Sequence, residues 1–409
     1  MRHARTLIGP SLALSAVLLA GCAGNGRYTT EGKNLATLRN AQLKSATEWS
    51  MAHQAFLAGD LERALKRIDQ SIAINPTAPK SHVLRGRILA ERGQLGPALE
   101  ALKEAQQLDP GSFEACYYQG VVYERLTQYE RALGMYRQAD QLDTTNPQYA
   151  VAAAEMLIEL GRLDEAEAYL LGMNDRFEHA AGVRQTLGHI AMLRGEPTTA
   201  VTLFSEARLL APDDQSVVED LIDAQIKVGN FAEAEFSLGV LLRSDANASR
   251  RDLKHMRARC LVELDRPMEA RELLLDLTKS PDGDADVEAW LGLGRVSFAL
   301  GDTRNARRAA TRLTGLAPRR NEGYLLRALL DRDANRRHDA LTALDQALRI
   351  SPDDASVLTM RGLVLSELGR HDEAAASLRR AVTIDPANGS AQRLLAMVEP
   401  AAVAGADDR

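Results

Sequence analysis

Two stretches decide the fold: "ERGQLGPALEALKEAQQLDP" (91–110) and "ELGRHDEAAASLRRAVTIDP" (367–386). Each opens on the end of one apolar run, turns at a glycine, runs for about four helical turns with small and apolar residues on one face, and stops at a proline. Proline lacks an N–H and keeps the residue before it out of the helical region. The same punctuation falls at Pro76, Pro110, Pro212, Pro318, Pro352 and Pro386. The intervals are 34, 102, 106, 34 and 34 residues, so a 34-residue unit runs through the chain with four extra residues between Pro212 and Pro318. A fixed period of this length marks stacked supersecondary units.

Composition agrees with helices. Of 409 residues, 45% are hydrophobic but 4% aromatic, the apolar content being mostly Ala and Leu. The net charge is −6; Arg2 and Arg5 stand in an acid-free start, leaving −8 on the rest, which disfavours nucleic acid as a partner. Motifs for phosphate cradling, zinc hydrolysis or a serine nucleophile are absent, and the eight histidines are scattered. We therefore expect no catalytic residue, no metal and no cofactor. Cys116 and Cys260 sit in separate helical patterns and read as buried single thiols.

The 34-residue pattern resembles the tetratricopeptide repeat. The resemblance implies an all-α fold: a superhelical solenoid of about ten helix-turn-helix repeats, starting at 45, 79, 113, 147, 181, 215, 251, 287, 321 and 355, with a capping helix at 387–399 and a disordered tail at 400–409. Position 20 of the repeat is Ala in all ten: Ala64, Ala98, Ala132, Ala166, Ala200, Ala234, Ala270, Ala306, Ala340 and Ala374. Position 8 is small wherever helix A must cross helix B, as at Gly86, Gly120, Gly188 and Gly362, with Ile222 the exception. Larger residues at position 24, such as Leu102, Tyr136, Phe204 and Leu378, are expected to fill the seam between repeats.

The start, "MRHARTLIGPSLALSAVLLAGC" (1–22), has a basic tip, an apolar run too short to span a bilayer and small residues before Cys22. Leu19-Ala20-Gly21-Cys22 resembles the lipobox of bacterial lipoproteins. That implies a signal peptide at 1–21, a palmitate-type anchor on Cys22 and, with Ala23 following, the outer membrane facing the periplasm. Residues 22–44 are expected to form the lipidated cysteine and a flexible Gly-rich tether.

In the repeat family helix A lines a concave groove through positions 2, 5, 9, 12 and 13. Here that implies a protein or peptide partner touching Tyr117, Glu155, Glu159, Gln185, His189, Glu219, Asp223, Arg259 and Arg295, with an acidic middle, an apolar anchor at Tyr117 and basic residues beyond. Similar lipoproteins assemble pili and secretion machines, the Tad/Flp and type IV pilus lipoproteins among them. The competing class is a subunit of an envelope enzyme complex, such as a protease adaptor or a polysaccharide-export component.

Overall fold

The structure is a computed structural model that describes residues 27–406. The expected signal peptide and Cys22 lie outside the described residues. Among those described there is no strand, only helices: α1 (Arg27–Leu57), α2 (Leu61–Ile74), α3 (Pro79–Glu91), α4 (Leu95–Leu108), α5 (Phe113–Arg125), α6 (Tyr129–Leu142), α7 (Pro147–Glu159), α8 (Leu163–Leu171), α9 (Asn174–Phe177), α10 (Ala181–Leu193) and α11 (Pro197–Leu210), then α12 (Gln215–Val228), α13 (Phe231–Leu241), α14 (Arg251–Glu263), α15 (Pro267–Lys279), α16 (Val287–Ala299), α17 (Thr303–Leu316), α18 (Glu322–Asp333), α19 (Arg337–Ile350), α20 (Ala355–Glu367), α21 (His371–Ile384) and α22 (Gly389–Ala406). The chain divides into two compact units. The first takes the described residues up to Glu196 with Thr202–Pro212; the second takes Pro197–Val201 and the chain from Asp213.

Within each unit a helix packs on its neighbours in sequence, with next-but-one contacts such as α3 on α5 and α16 on α18. The position-20 alanines explain this closeness. All ten are 0% exposed, so the helix backbones meet with no side chain between them. At position 8 the structure shows what the missing side chain makes room for. A Cβ on Gly120 would stand 2.5 Å from Cε1 of Tyr136, and Gly86, Gly188 and Gly362 meet Leu102, Phe204 and Leu378 in the same way. The large position-24 side chain therefore fills the notch left by the glycine of its own hairpin, and Leu102, Tyr136 and Leu378 share core clusters with the helix that follows.

The turns follow from backbone sterics. Gly59, Gly93, Gly161, Gly195, Gly229, Gly301 and Gly369 all take positive φ just beyond helix A. Thr127, Asp265 and Asn335 hold φ of 56°, 54° and 60° at the corresponding place. A left-handed conformation costs an ordinary L-residue roughly 1–2 kcal/mol, less for Asn or Asp. Thr127→Gly is therefore expected to raise unfolding free energy by about 1 kcal/mol, after the entropy that glycine gains in the unfolded chain. Asn335→Gly should gain less; urea titration of both variants checks the order.

Two expectations at the ends are corrected. Residues 27–44 are not a flexible tether but the start of the 31-residue α1. They contain no proline and a single glycine, Gly32, so nothing breaks the helix that Ser45 continues. The capping helix likewise does not stop at 399; α22 runs to Ala406, through what read as a disordered tail, because alanines at 401, 402, 404 and 406 favour helix. Residues 407–409 lie outside the described residues.

The middle of the chain departs from the simple period. Helix α8 has 9 residues and is followed by the single turn α9, which buries Phe177 and sends Arg176 to the Asp140 carboxylate at 2.9 Å. In the longer "RSDANASRRD" loop, Asn247 is buried and exchanges amide hydrogen bonds with Gln215 at 3.1 and 3.2 Å. "KSPDGDADV" forms a short 3-10 turn at Gly283–Ala285, whose Gly283 carbonyl accepts the Trp290 indole N–H at 3.0 Å. The extra residues are thus absorbed into specific hydrogen bonds.

Candidate functional site

Helix A of each hairpin presents residues four apart along one face, and in the first unit three such helices meet at an open cavity of roughly 500 Å³. Glu124 and Arg125 come from α5, Glu155 and Glu159 from α7, and His189 from α10, with Tyr129, Met156 and Ile158 completing the wall. Three of the residues singled out from the sequence, Glu155, Glu159 and His189, therefore share one site.

Its charge is set by who is already paired. Glu124 accepts the Tyr136 hydroxyl at 2.5 Å. Arg125 is drawn away, to the Glu91 carboxylate at 2.7 Å and the Ala90 carbonyl at 2.9 Å. Glu155 is reached by solvent yet enclosed by protein; desolvation and then the Glu124 charge raise its pKa, while His189 pulls it down. His189 itself stands edge-on to the Phe204 ring, with centroids 5.3 Å apart. The cavity is acidic with one imidazole at its side.

Tyr117 is half-buried rather than a free anchor. It sits among Tyr118, Tyr136 and Tyr149 at centroid distances of 5.2, 5.5 and 5.2 Å, and its hydroxyl accepts from the Gln148 amide at 2.9 Å. Burial raises its pKa, so the phenol stays neutral. Gln185, half-buried on α10, is one turn before His189.

In the second unit α14 and α16 flank another open cavity, of roughly 650 Å³. Met256, Leu274, Leu291 and Val296 give it an apolar floor, and Arg259 and Arg295 stand exposed at its edge. Asp286 on one wall is occupied: His255 Nε2 lies 2.8 Å from its Oδ2, Arg251 is also on that oxygen, and the Ala289 N–H donates to Oδ1 at 2.9 Å. Burial alone would raise its pKa, but these donors bring it below the ordinary carboxylate range.

Glu219 and Asp223 do not line either cavity. Glu219 accepts from Arg250, whose Nη2 is 2.9 Å from Oε2, and that guanidinium holds its pKa down. Asp223 pairs with Lys227 one turn on, at 2.9 Å. The expected acidic stretch is thus neutralised at these two positions. Sequence reasoning missed Glu124, Tyr129, Met156 and Ile158 as lining residues. Glu124 and Ile158 both stand at position 12, one of the groove positions, so the repeat spacing itself marks these two.

Among the described residues no group of three or more His, Cys, Asp or Glu side chains is placed to hold a metal, and no helix is long and apolar enough to cross a membrane. Cys116 and Cys260 are buried free thiols.

A family model of the tetratricopeptide repeat matches residues 51–113, 255–321 and 325–389, and a model of the anaphase-promoting complex, cyclosome, subunit 3, matches 91–173. Human tetratricopeptide repeat protein 34 is 26% identical over 56% of this chain and 46% of its own length. Cellulose synthase operon protein C of Xanthomonas axonopodis pv. citri (strain 306) is 26% identical over 94% of this chain and 27% of its own. The chain spans less than half the length of the curated relatives it matches. Among solved structures, the pilF protein of Pseudomonas aeruginosa is 20% identical with a TM-score of 0.43, covering 52% of this chain and 94% of that one. The 34-residue period, the buried position-20 alanines and the family-model matches agree on an all-α fold built of tetratricopeptide repeats.

Proposed function

We propose that this chain is a non-catalytic scaffold that binds a partner protein or peptide on its helix-A faces and is held to the bacterial outer membrane by a lipid on Cys22, facing the periplasm. The observation that carries the reading is the gathering of Glu155, Glu159, Glu124 and His189 at one open cavity on the helix-A faces. A cationic partner segment complements that cavity. An acidic segment with an apolar side chain complements Arg259, Arg295 and the apolar floor of the second unit.

Assembly of a pilus or secretion machine is the role we assign first, on the resemblance of the start to lipoproteins of such systems. A second reading, a subunit of an envelope complex handling polysaccharide, is favoured by the alignment with cellulose synthase operon protein C along 94% of this chain.

A photo-crosslinking residue placed at 155 in intact envelopes should capture a discrete partner, whereas one placed at Glu104, on α4, should not. Glu155→Lys with Glu159→Lys should weaken that partner at least tenfold, mainly by slowing association, and leave the melting curve nearly unchanged. Because the Glu155 pKa is raised, its charge is present above that pKa and is lost as pH falls through it, earlier than for an ordinary glutamate. Binding should therefore weaken on acidification, and Glu155→Gln should flatten that dependence. Capture only from position 104 sinks the groove assignment.

A further inference from the structure

Helix α1 outruns the hairpin it belongs to. Its C-terminal half sends Trp49, Ala52 and Ala55 into the first core cluster, and Ser45 ties it to α2 through the Ser71 hydroxyl at 2.9 Å. Before Ser45 the covering ends: residues 30–44 are exposed apart from half-covered Ala41. Leu35, Leu38 and Leu43 are 55%, 63% and 70% exposed. Leu35, Arg39 and Leu43, four apart, lie along one face and line an open concavity whose lining residues all belong to this helix.

The charge of this segment is opposite to that of the molecule. Arg27, Lys33, Arg39 and Lys44 against the single Glu31 give residues 27–44 a net +3, in a chain of net −6. Lys33, Arg39 and Lys44 form no ion pair among the described residues, although most arginines elsewhere in the chain do. Exposed leucines beside unpaired basic side chains are the composition of a helix that lies in a membrane interface, apolar side chains at the headgroup boundary and long cationic ones reaching lipid phosphates.

We propose that residues 30–44 of α1 lie on an anionic phospholipid surface, with Leu35, Leu38 and Leu43 entering the headgroup boundary and Lys33, Arg39 and Lys44 paired with phosphates. At about 1.5 Å per residue the segment is roughly 22 Å long and rests on the surface rather than crossing it. A second copy of the chain fits worse, because like segments of +3 repel. Four residues separate Cys22 from Arg27, so the proposed lipid anchor would bring the helix to the bilayer; the inference extends that reading, but the affinity of the helix is its own.

The test uses residues 23–409, which keep every described helix and carry no acylated cysteine. Co-sedimentation with vesicles of phosphatidylglycerol and phosphatidylcholine is compared with phosphatidylcholine alone. The chain should bind the anionic vesicles, lose that binding in high salt, and bind at least tenfold more weakly as Lys33→Glu/Arg39→Glu/Lys44→Glu or as Leu35→Ser/Leu43→Ser, with melting unchanged. Equal binding by the wild type and the charge variant, or none by the wild type, overturns the proposal. So does a dimer in sedimentation velocity that the leucine variant abolishes without vesicle binding, since a second copy then covers the face. The anchor is judged separately, by whether labelled palmitate is lost on Cys22→Ser in cells.

Discussion

Gly120→Leu is expected to unfold the third hairpin, lowering stability by at least about 3 kcal/mol. Even the first added carbon would lie 2.5 Å from the Tyr136 ring. That ring cannot step aside: it is 1% exposed, and its hydroxyl is fastened to Glu124 at 2.5 Å. The obstruction also names its cure. Gly120→Ala and Tyr136→Ala should each destabilise, but the double variant should cost clearly less than their sum, because the deleted ring vacates the space that the methyl needs. Urea titration of the three proteins measures the coupling. Strict additivity would mean that the two residues do not share that space.

Trp290→Ala is expected to cost about 3–5 kcal/mol, as for other fully buried tryptophans. Trp290 is 0% exposed, and Arg308 lies over its ring at 5.0 Å. It holds the inserted 3-10 turn through Gly283, where an added Cβ would come within 2.2 Å of the Leu277 carbonyl. Trp290→Phe should keep most of the packing and lose about 1 kcal/mol for the missing indole hydrogen bond, the Gly283 carbonyl still accepting the Asp286 N–H at 3.3 Å. Trp49 is the other tryptophan, so a Trp49→Phe background makes the Trp290 emission the reporter. In the alanine variant, amide exchange should accelerate first in α15 and α16. Loss of less than about 1 kcal/mol for Trp290→Ala would show that the insertion needs no pin.

The sequence carried the fold because stacking leaves a local record. Each hairpin must place a residue with almost no side chain at the same step, so Ala64 to Ala374 could be read in register without any long-range information. Left-handed turns were legible where glycine fills them. Thr127 and Asn335 hid two more, because a side chain can occupy that conformation when the flanking helices impose it. The extent of α1 was hidden for the opposite reason: glycines and polar residues before Ser45 look like a tether, yet no proline forbids helix.

Site residues were less legible, since availability depends on pairing. Glu155 and Glu219 read alike as helix-A carboxylates. The partner that neutralises Glu219, Arg250, lies 31 residues away in an inserted loop, and no repeat rule places it there. Tyr117 read as an anchor because position 5 faces the groove; Gln148 and three neighbouring rings claim much of its surface.

Packing that reaches only helices close by in the chain has a mechanical consequence. When tension is applied along the chain within one unit, load passes through successive hairpins in series, and no long-range pairing clamps distant segments together. The weakest hairpin yields first and releases a slack of roughly 34 residues, about 110–120 Å of extended chain, while its neighbours stay folded. Such a unit behaves as a string of small shock absorbers, lengthening in steps where a single-core domain would let go all at once.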